Sequence, residues 1–212
     1  MKKMLILGGT GGLGSQLVNI LSSKYDITSI GSKDLDIRSK NECEDYFKSN
    51  KFEILLNLSG SNYDSFIHKL TDEQVESMID VNIKGSINVV SACLKKMRQD
   101  KYGRIILISS ILSQKNVMGT SIYSSCKSFL DKFVKNISVE NIGLGITANS
   151  LQLGYFDGGM TYRIPDDSLL SIKESIGLKR FGKIEELSNT IEYIIENEYV
   201  TGSNIKIDGG IQ

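Results

Sequence analysis

Short apolar runs alternate with longer stretches whose apolar residues recur every three or four positions, and the alternation persists along the 212-residue chain. Met4–Leu7, Ile27–Ile30, Ile54–Leu58, Arg104–Ser109, Ile146–Leu151 and Asn204–Ile207 read as strands. Helical patterns lie near Leu13–Ser23, Lys40–Asn50, Thr71–Arg98, Ile122–Asn141 and Ile184–Asn197. Strand and helix in turn predict an α/β fold, a doubly wound parallel sheet that takes ligands at the carboxyl ends of its strands. Ser39-Lys40-Asn41-Glu42 and Thr71-Asp72-Glu73-Gln74 have capping-box spacing and mark two helix starts. No repeat, low-complexity tract or linker interrupts the pattern. Residues 1–212 therefore read as a single domain, large enough to bury a core unaided.

One connection is too short. Between Ile30 and Asp36 there is no room for a helix, whereas a parallel crossover takes about a dozen residues or more. The helix between the second and third strands is predicted missing, and Leu35-Asp36-Ile37 is expected to form only a stub of that third strand.

Composition narrows the chemistry. Hydrophobic residues make up 40% and charged residues 24%, near globular averages. Lys and Arg total 25, as do Asp and Glu, so the balance predicts neither nucleic acid nor an anionic membrane as partner. No apolar run approaches the roughly 20 residues that span a bilayer. The first strand begins almost at Met1, which leaves no signal peptide to remove and makes the cytoplasm the expected location. Cys43, Cys93 and Cys126 lack metal or redox spacing and read as free thiols, Cys126 as a packed one. His68 is the only histidine, so no zinc site and no Ser-His-Asp triad is expected.

Gly8-Gly9-Thr10-Gly11-Gly12-Leu13-Gly14 follows the first strand and opens the first helix. In that context Gly8 permits the tight turn, Gly12 lets backbone N–H groups approach a pyrophosphate, and Gly14 brings helix and sheet together. The helix N-terminus adds the positive end of its dipole. No Gly-Lys-Ser/Thr ending follows, which argues against a nucleoside triphosphate loop. At the end of the second strand an acidic residue would hold both adenosine ribose hydroxyls and repel a 2′-phosphate. The chain has Gly31-Ser32-Lys33 there, a donor and a cation, which favours NADP(H) over NAD(H); Asp34 next to them works against that preference.

Tyr123 and Lys127 are four residues apart in a helical pattern and share one face. A tyrosine titrates near 10, and a nearby ammonium is expected to lower that toward the working range. Ser110, at the carboxyl end of a strand, would hold a carbonyl oxygen while the tyrosine transfers its proton.

Gly8-x-x-x-Gly12-x-Gly14, Asn57-Leu58-Ser59-Gly60, Asn82, Ser110 and Tyr123-x-x-x-Lys127 together resemble the short-chain dehydrogenase/reductase family, in particular its compact branch containing the 3-oxoacyl-carrier-protein reductases. Val200-Thr201-Gly202 and Asp208-Gly209-Gly210 resemble that branch's C-terminal signature. The resemblance implies a metal-free hydride transfer between nicotinamide and a substrate carbon, with Tyr123 as general acid in reduction and base in oxidation. It implies that Ser110 orients the substrate oxygen, that Lys127 lowers the tyrosine pKa and holds the nicotinamide ribose, and that Asn82 kinks its helix and holds a relay water. Around the cofactor, Thr10, Gly11 and Leu13 would complete the phosphate loop. Asn57, Ser59 and Gly60 would lie beside the adenosine ribose, Asp36 and Ile37 would flank adenine, and Gly154 and Phe156 would lie by the nicotinamide.

Two departures from the family pattern fall on the nicotinamide side. Leu153-Gly154 stands where Pro-Gly is usual, and Gly158 stands where a threonine normally holds the carboxamide, with Thr161 as a substitute if the loop shifts. Tyr155–Gly177 reads as a substrate lid carrying Tyr155, Met160, Tyr162 and Arg163, the last placed to meet an anionic group. The expected substrate is a small carbonyl or alcohol, acyl-carrier-linked or, as the short Ile30–Asp36 connection of the sugar-nucleotide reductases suggests, sugar-linked. The resemblance also implies a homotetramer or homodimer through the Thr71–Arg98 and Ile122–Asn141 helices. A non-catalytic cofactor sensor or scaffold is the competing reading from another class.

Overall fold

The structure, a computed structural model, describes residues 1–211, with the side chains of Arg163 and Asp166 outside the description. Along the chain run β1 (Lys3–Leu7), α1 (Gly12–Leu21), β2 (Asp26–Ile30), α2 (Lys40–Ser49), β3 (Ile54–Asn57) and α3 (Asp72–Ile79). There follow α4 (Ser86–Asp100), β4 (Gly103–Ser110), α5 (Ser121–Asn141), β5 (Ile146–Leu153), α6 (Asp166–Ser175), α7 (Ile184–Glu196) and β6 (Asn204–Ile207). The six strands form one parallel sheet in the order β2-β1-β3-β4-β5-β6. Because side chains alternate along a strand, Met4 and Ile6 of β1 face α1 and α7, while Leu5 and Leu7 face α2, α4 and α5. The chain steps from β1 outward to β2, then returns to the other side of β1 as β3. That reversal opens a crevice at the carboxyl ends of β1 and β3.

No helix forms between Ile30 and Asp36, as the short connection predicts, although the crossover that joins β2 to β3 carries α2. The expected strand stub at Leu35-Asp36-Ile37 is absent too. Gly31 O accepts the N–H groups of Asp34 (3.1 Å) and Leu35 (3.2 Å), so the chain turns immediately after β2, and residues 35–37 do not pair along its free edge. Leu35 and Ile37 instead bury their side chains in the core beside α2 and α4. The Thr71–Arg98 pattern divides into α3 and α4 around a widened π-turn over Asp80–Gly85. Such a turn adds a residue to one helical turn and re-aims the side chains within it. Among the described residues, no helix is long and apolar enough to cross a membrane.

The two capping sequences behave differently. Thr71 Oγ1 accepts the Gln74 N–H at 3.3 Å, and Gln74 Oε1 accepts the Thr71 N–H at 3.1 Å, a complete box. At α2, Ser39 Oγ accepts the Glu42 N–H, but the Glu42 carboxylate accepts the Asp36 N–H and so ties the helix to the preceding turn. Thr71→Ala should therefore lower the unfolding free energy by about 1 kcal/mol in urea titrations. An unchanged midpoint would mean that water replaces the cap.

Candidate active site

The carboxyl ends of the strands open into a cavity of about 890 Å³, within the roughly 300–1,000 Å³ usual for small-molecule sites. Gly8, Thr10, Gly11, Gly12, Leu13 and Gly14 line one part of it. The N-cap of α1 is Gly11, which has no side chain to satisfy the first turn, and that turn carries no acidic residue. Its N–H groups and the positive end of the helix dipole are left for an anionic ligand.

From the glycine loop the wall continues past Ser32, Asp36 and Ile37. Lys33, expected to supply the charge here, does not line the cavity. Asp34 closes the turn by accepting the Gly31 N–H at 2.8 Å, and Lys33 is exposed beyond it. The cation on this wall is Arg38. Its guanidinium grips Asp36, Nε to Oδ1 at 2.9 Å and Nη2 to Oδ2 at 2.7 Å, and holds that carboxyl below the usual carboxylate range. Ser59 and Gly60 line the opposite wall, while Asn57 lies buried behind them. Asn57 donates to Ser86 Oγ (3.2 Å) and accepts the Ser59 N–H (3.0 Å), so it shapes the exit from β3 instead of lining the cavity.

The other end holds the proton-transfer group. Tyr123 and Lys127 are both buried on the cavity wall. Lys127 Nζ donates to Ile108 O at 2.9 Å and lies 5.4 Å from the Tyr123 ring centroid. Burial pushes Lys127 down to about 8. It also pushes the Tyr123 phenol up to about 12, with Asp64 acting in the same direction and the Ser110 side chain against it. This corrects the expectation that the ammonium brings the phenol toward neutrality. Nζ is engaged by a backbone carbonyl and sits over the ring, so desolvation prevails. Ser110 ends β4 on the wall and accepts the Leu112 N–H at 3.2 Å. Asn82 is fully buried in the π-turn and donates to Ser61 O and Met78 O, both at 2.8 Å. Its Oδ1 has no protein partner. A Cβ on Gly60 would lie 3.2 Å from that Oδ1 and 3.5 Å from Lys127 Nζ, so an acceptor and a donor flank one small polar space.

Gly154, Tyr155, Phe156, Met160, Thr161 and Tyr162 close the cavity from the third side. The segment read from sequence as a lid contains a 3-10 turn (Gly159–Arg163) and the unforeseen helix α6. It rests directly on the glycine loop: a Cβ on Gly12 would come within 2.8 Å of Gly159 Cα, so only glycine fits this contact. The Arg163 side chain, expected to meet an anionic group, lies outside the description. Arg38, Asn62 and Asp64 are wall residues that sequence reasoning missed. The only local signal for the last two was their position just after Gly60. Among the described residues, no group of three or more His, Cys, Asp or Glu could hold a metal ion. Cys126 is buried against Met78 O, and burial raises its thiol.

A family model described as Enoyl-(Acyl carrier protein) reductase matches residues 15–212. Carbonyl reductase family member 4 of Xenopus tropicalis is 28% identical over 234 residues, covering 100% of this chain and 98% of that protein. The 3-oxoacyl-[acyl-carrier-protein] reductase FabG of Rickettsia felis is 29% identical over 232 residues, covering 99% and 96%. The solved structure of ElxO with NADP bound superposes with a TM-score of 0.89 over 99% of this chain and 98% of that one, at 23% identity, a likeness of fold.

Proposed function

Because the chain belongs to the short-chain dehydrogenase/reductase family of oxidoreductases, we propose that it interconverts a carbonyl and an alcohol with Tyr123 as acid and base. The observation that carries this reading is the meeting of Ser110, Tyr123 and Lys127 at one end of a cavity whose other end is the glycine loop. A nicotinamide cofactor, when bound, supplies or accepts the hydride. Ser110 Oγ orients the substrate oxygen, and Tyr123 gives it a proton in reduction or takes one in oxidation. Lys127 holds the nicotinamide ribose, and the free Oδ1 of Asn82 holds a water beside it. Gly12 and the first turn of α1 hold the pyrophosphate, Ser59 and Gly60 flank the adenosine ribose, and Asp36 and Ile37 flank adenine. Gly154, Phe156 and Thr161 bound the nicotinamide end. The raised phenol suits reduction, because it stays protonated throughout the neutral range.

NADP(H) is the favoured cofactor. Asp34 is committed to Gly31, Ser32 offers a donor, and Arg38 brings a cation to the same wall. The relative ElxO carries NADP. Fluorescence titration should show NADPH binding about tenfold more tightly than NADH, and Arg38→Ala should bring the two toward parity, the scale of one charge-assisted contact. Tighter NADH binding would overturn this assignment.

For the substrate, a 3-oxoacyl compound fits the exposed apolar side chains Phe66, Ile67, Val117 and Met118, which lie on two loops joined by the Ser65 N–H to Gly119 O bond. Asn62 and Asp64 favour a second reading, a keto-sugar, since Asn62 Oδ1 is buried without a partner and would accept from a sugar hydroxyl. A panel of acyl thioesters and keto-sugars with the preferred cofactor decides between them. Turnover of no carbonyl by a cofactor-saturated protein would favour a sensor or scaffold. Exposed Ile87 on α4 and Val139 on α5 are apolar positions for a second copy in a homotetramer or homodimer.

A further inference from the structure

Asp131 lies on α5 one turn beyond Lys127, which lies one turn beyond Tyr123, so the three share one face of the helix. Only 6% of Asp131 is exposed, and a carboxylate so placed must be met by donors. Ser150 Oγ donates to Oδ1 at 2.7 Å, and Gln152 Nε2 donates to Oδ2 at 2.6 Å. The same Nε2 donates its other hydrogen to Ser113 Oγ at 3.1 Å. Ser113 closes the 3-10 turn Ile111–Ser113 that begins directly after Ser110, and its carbonyl accepts Ser128 Oγ at 2.7 Å. In the β4–β5 ladder Gln152 pairs with Ser109, whose Oγ donates to Lys127 O at 3.1 Å.

Resting on the reading of Lys127 as the ammonium that holds the cofactor ribose, we propose that Asp131 is a positioning residue. Through Gln152 it ties the Tyr123–Lys127 helix to the turn behind Ser110, and its charge, one helical turn away on the same face, favours the ammonium of the buried Lys127. The groups facing Lys127 bear this out. Its own helix presents Tyr123, Cys126 and Asp131, β4 presents the Ile108 carbonyl, and the π-turn presents the Asn82 amide. Burial raises both the phenol and the thiol, which are therefore neutral. Of the two groups that oppose the desolvation of Lys127, Cys126 first and Asp131 second, only Asp131 carries a charge while the thiol keeps its proton.

The test is a 13C NMR titration of protein labelled at lysine Cε, with the Lys127 signal assigned by its loss in Lys127→Arg. In Asp131→Asn the Lys127 midpoint should fall by about one pH unit, and in Asp131→Glu it should return toward wild type. An Asp131→Asn midpoint equal to wild type overturns the charge role. Gln152→Met, which keeps the charge and cuts the tie, should leave that midpoint in place and lower kcat about tenfold with little change in KM. An unaltered kcat overturns the tie, and this variant decides alone if a thermal melt shows that Asp131→Asn does not fold. The NMR midpoint needs neither cofactor nor turnover, so it is separable from the reading of the site. Lys127→Met tests that reading, and wild-type NADPH affinity and turnover in this variant would sink it without touching the midpoint result.

Discussion

Tyr123→Phe is expected to lower kcat about a thousandfold, within the range that a positioned acid or base contributes, while NADPH affinity stays within about twofold of wild type. Phenylalanine keeps the buried ring against Lys127 Nζ and removes only the hydroxyl that is to give up its proton. The pH dependence follows from the phenol's rise to about 12. In reduction the protonated form is needed, and it is present at every pH below that value, so the tyrosine imposes no loss of rate toward acid. In oxidation the phenolate is needed, and its fraction grows about tenfold for each unit of pH below 12. Oxidation should therefore climb toward alkali until Lys127, lowered to about 8, loses its proton and its hold on the ribose. Steady-state rates in both directions, with fluorescence titration of NADPH, measure these effects. Turnover surviving in the variant would mean that water or another side chain is the acid.

The sequence announces this site through local patterns. The glycine loop between an apolar run and a helix, and the four-residue step from Tyr123 to Lys127, are each contained in one turn or helix, so their geometry follows from backbone periodicity. Features that depend on contacts across the fold were not legible. Arg38 reaches the cavity wall because the chain turns tightly at Gly31–Leu35, and Gln152 meets Asp131 because β5 packs under α5. The Leu35-Asp36-Ile37 alternation shows the middle ground. Read as a strand stub, it has two apolar residues, Leu35 and Ile37, that are indeed buried, but alternation reports which face is apolar and is silent on whether a neighbouring strand is there to pair. The phenol and the ammonium misled in the same way. Spacing brings them together, while the direction of the tyrosine's shift depends on burial and on the carbonyl that engages Nζ, neither of which is written in the spacing.

The glycine loop is expected to tolerate a single methyl group badly. A Cβ at Gly14 would stand 2.2 Å from Gly8 O and 2.7 Å from Gly9 Cα, both backbone atoms of the turn leaving β1. Alanine favours a helix over glycine by about 1 kcal/mol, which works for the substitution. The clash works against it and is larger, because neither atom belongs to a side chain that can rotate away. Overpacking of this kind costs about 1–3 kcal/mol, occasionally more. Gly14→Ala should thus unfold at lower urea by about 2 kcal/mol net of the helix gain, and it should bind NADPH at least about a hundredfold more weakly, since the turn must open to admit the methyl and its N–H groups lose their aim at the pyrophosphate. Gly143→Ala is the control: a Cβ there meets nothing within 4 Å, and both stability and binding should stay near wild type. If Gly14→Ala matched that control in both measurements, α1 would be free to pull away from the loop, and the close approach of helix and loop would not be what holds the cofactor.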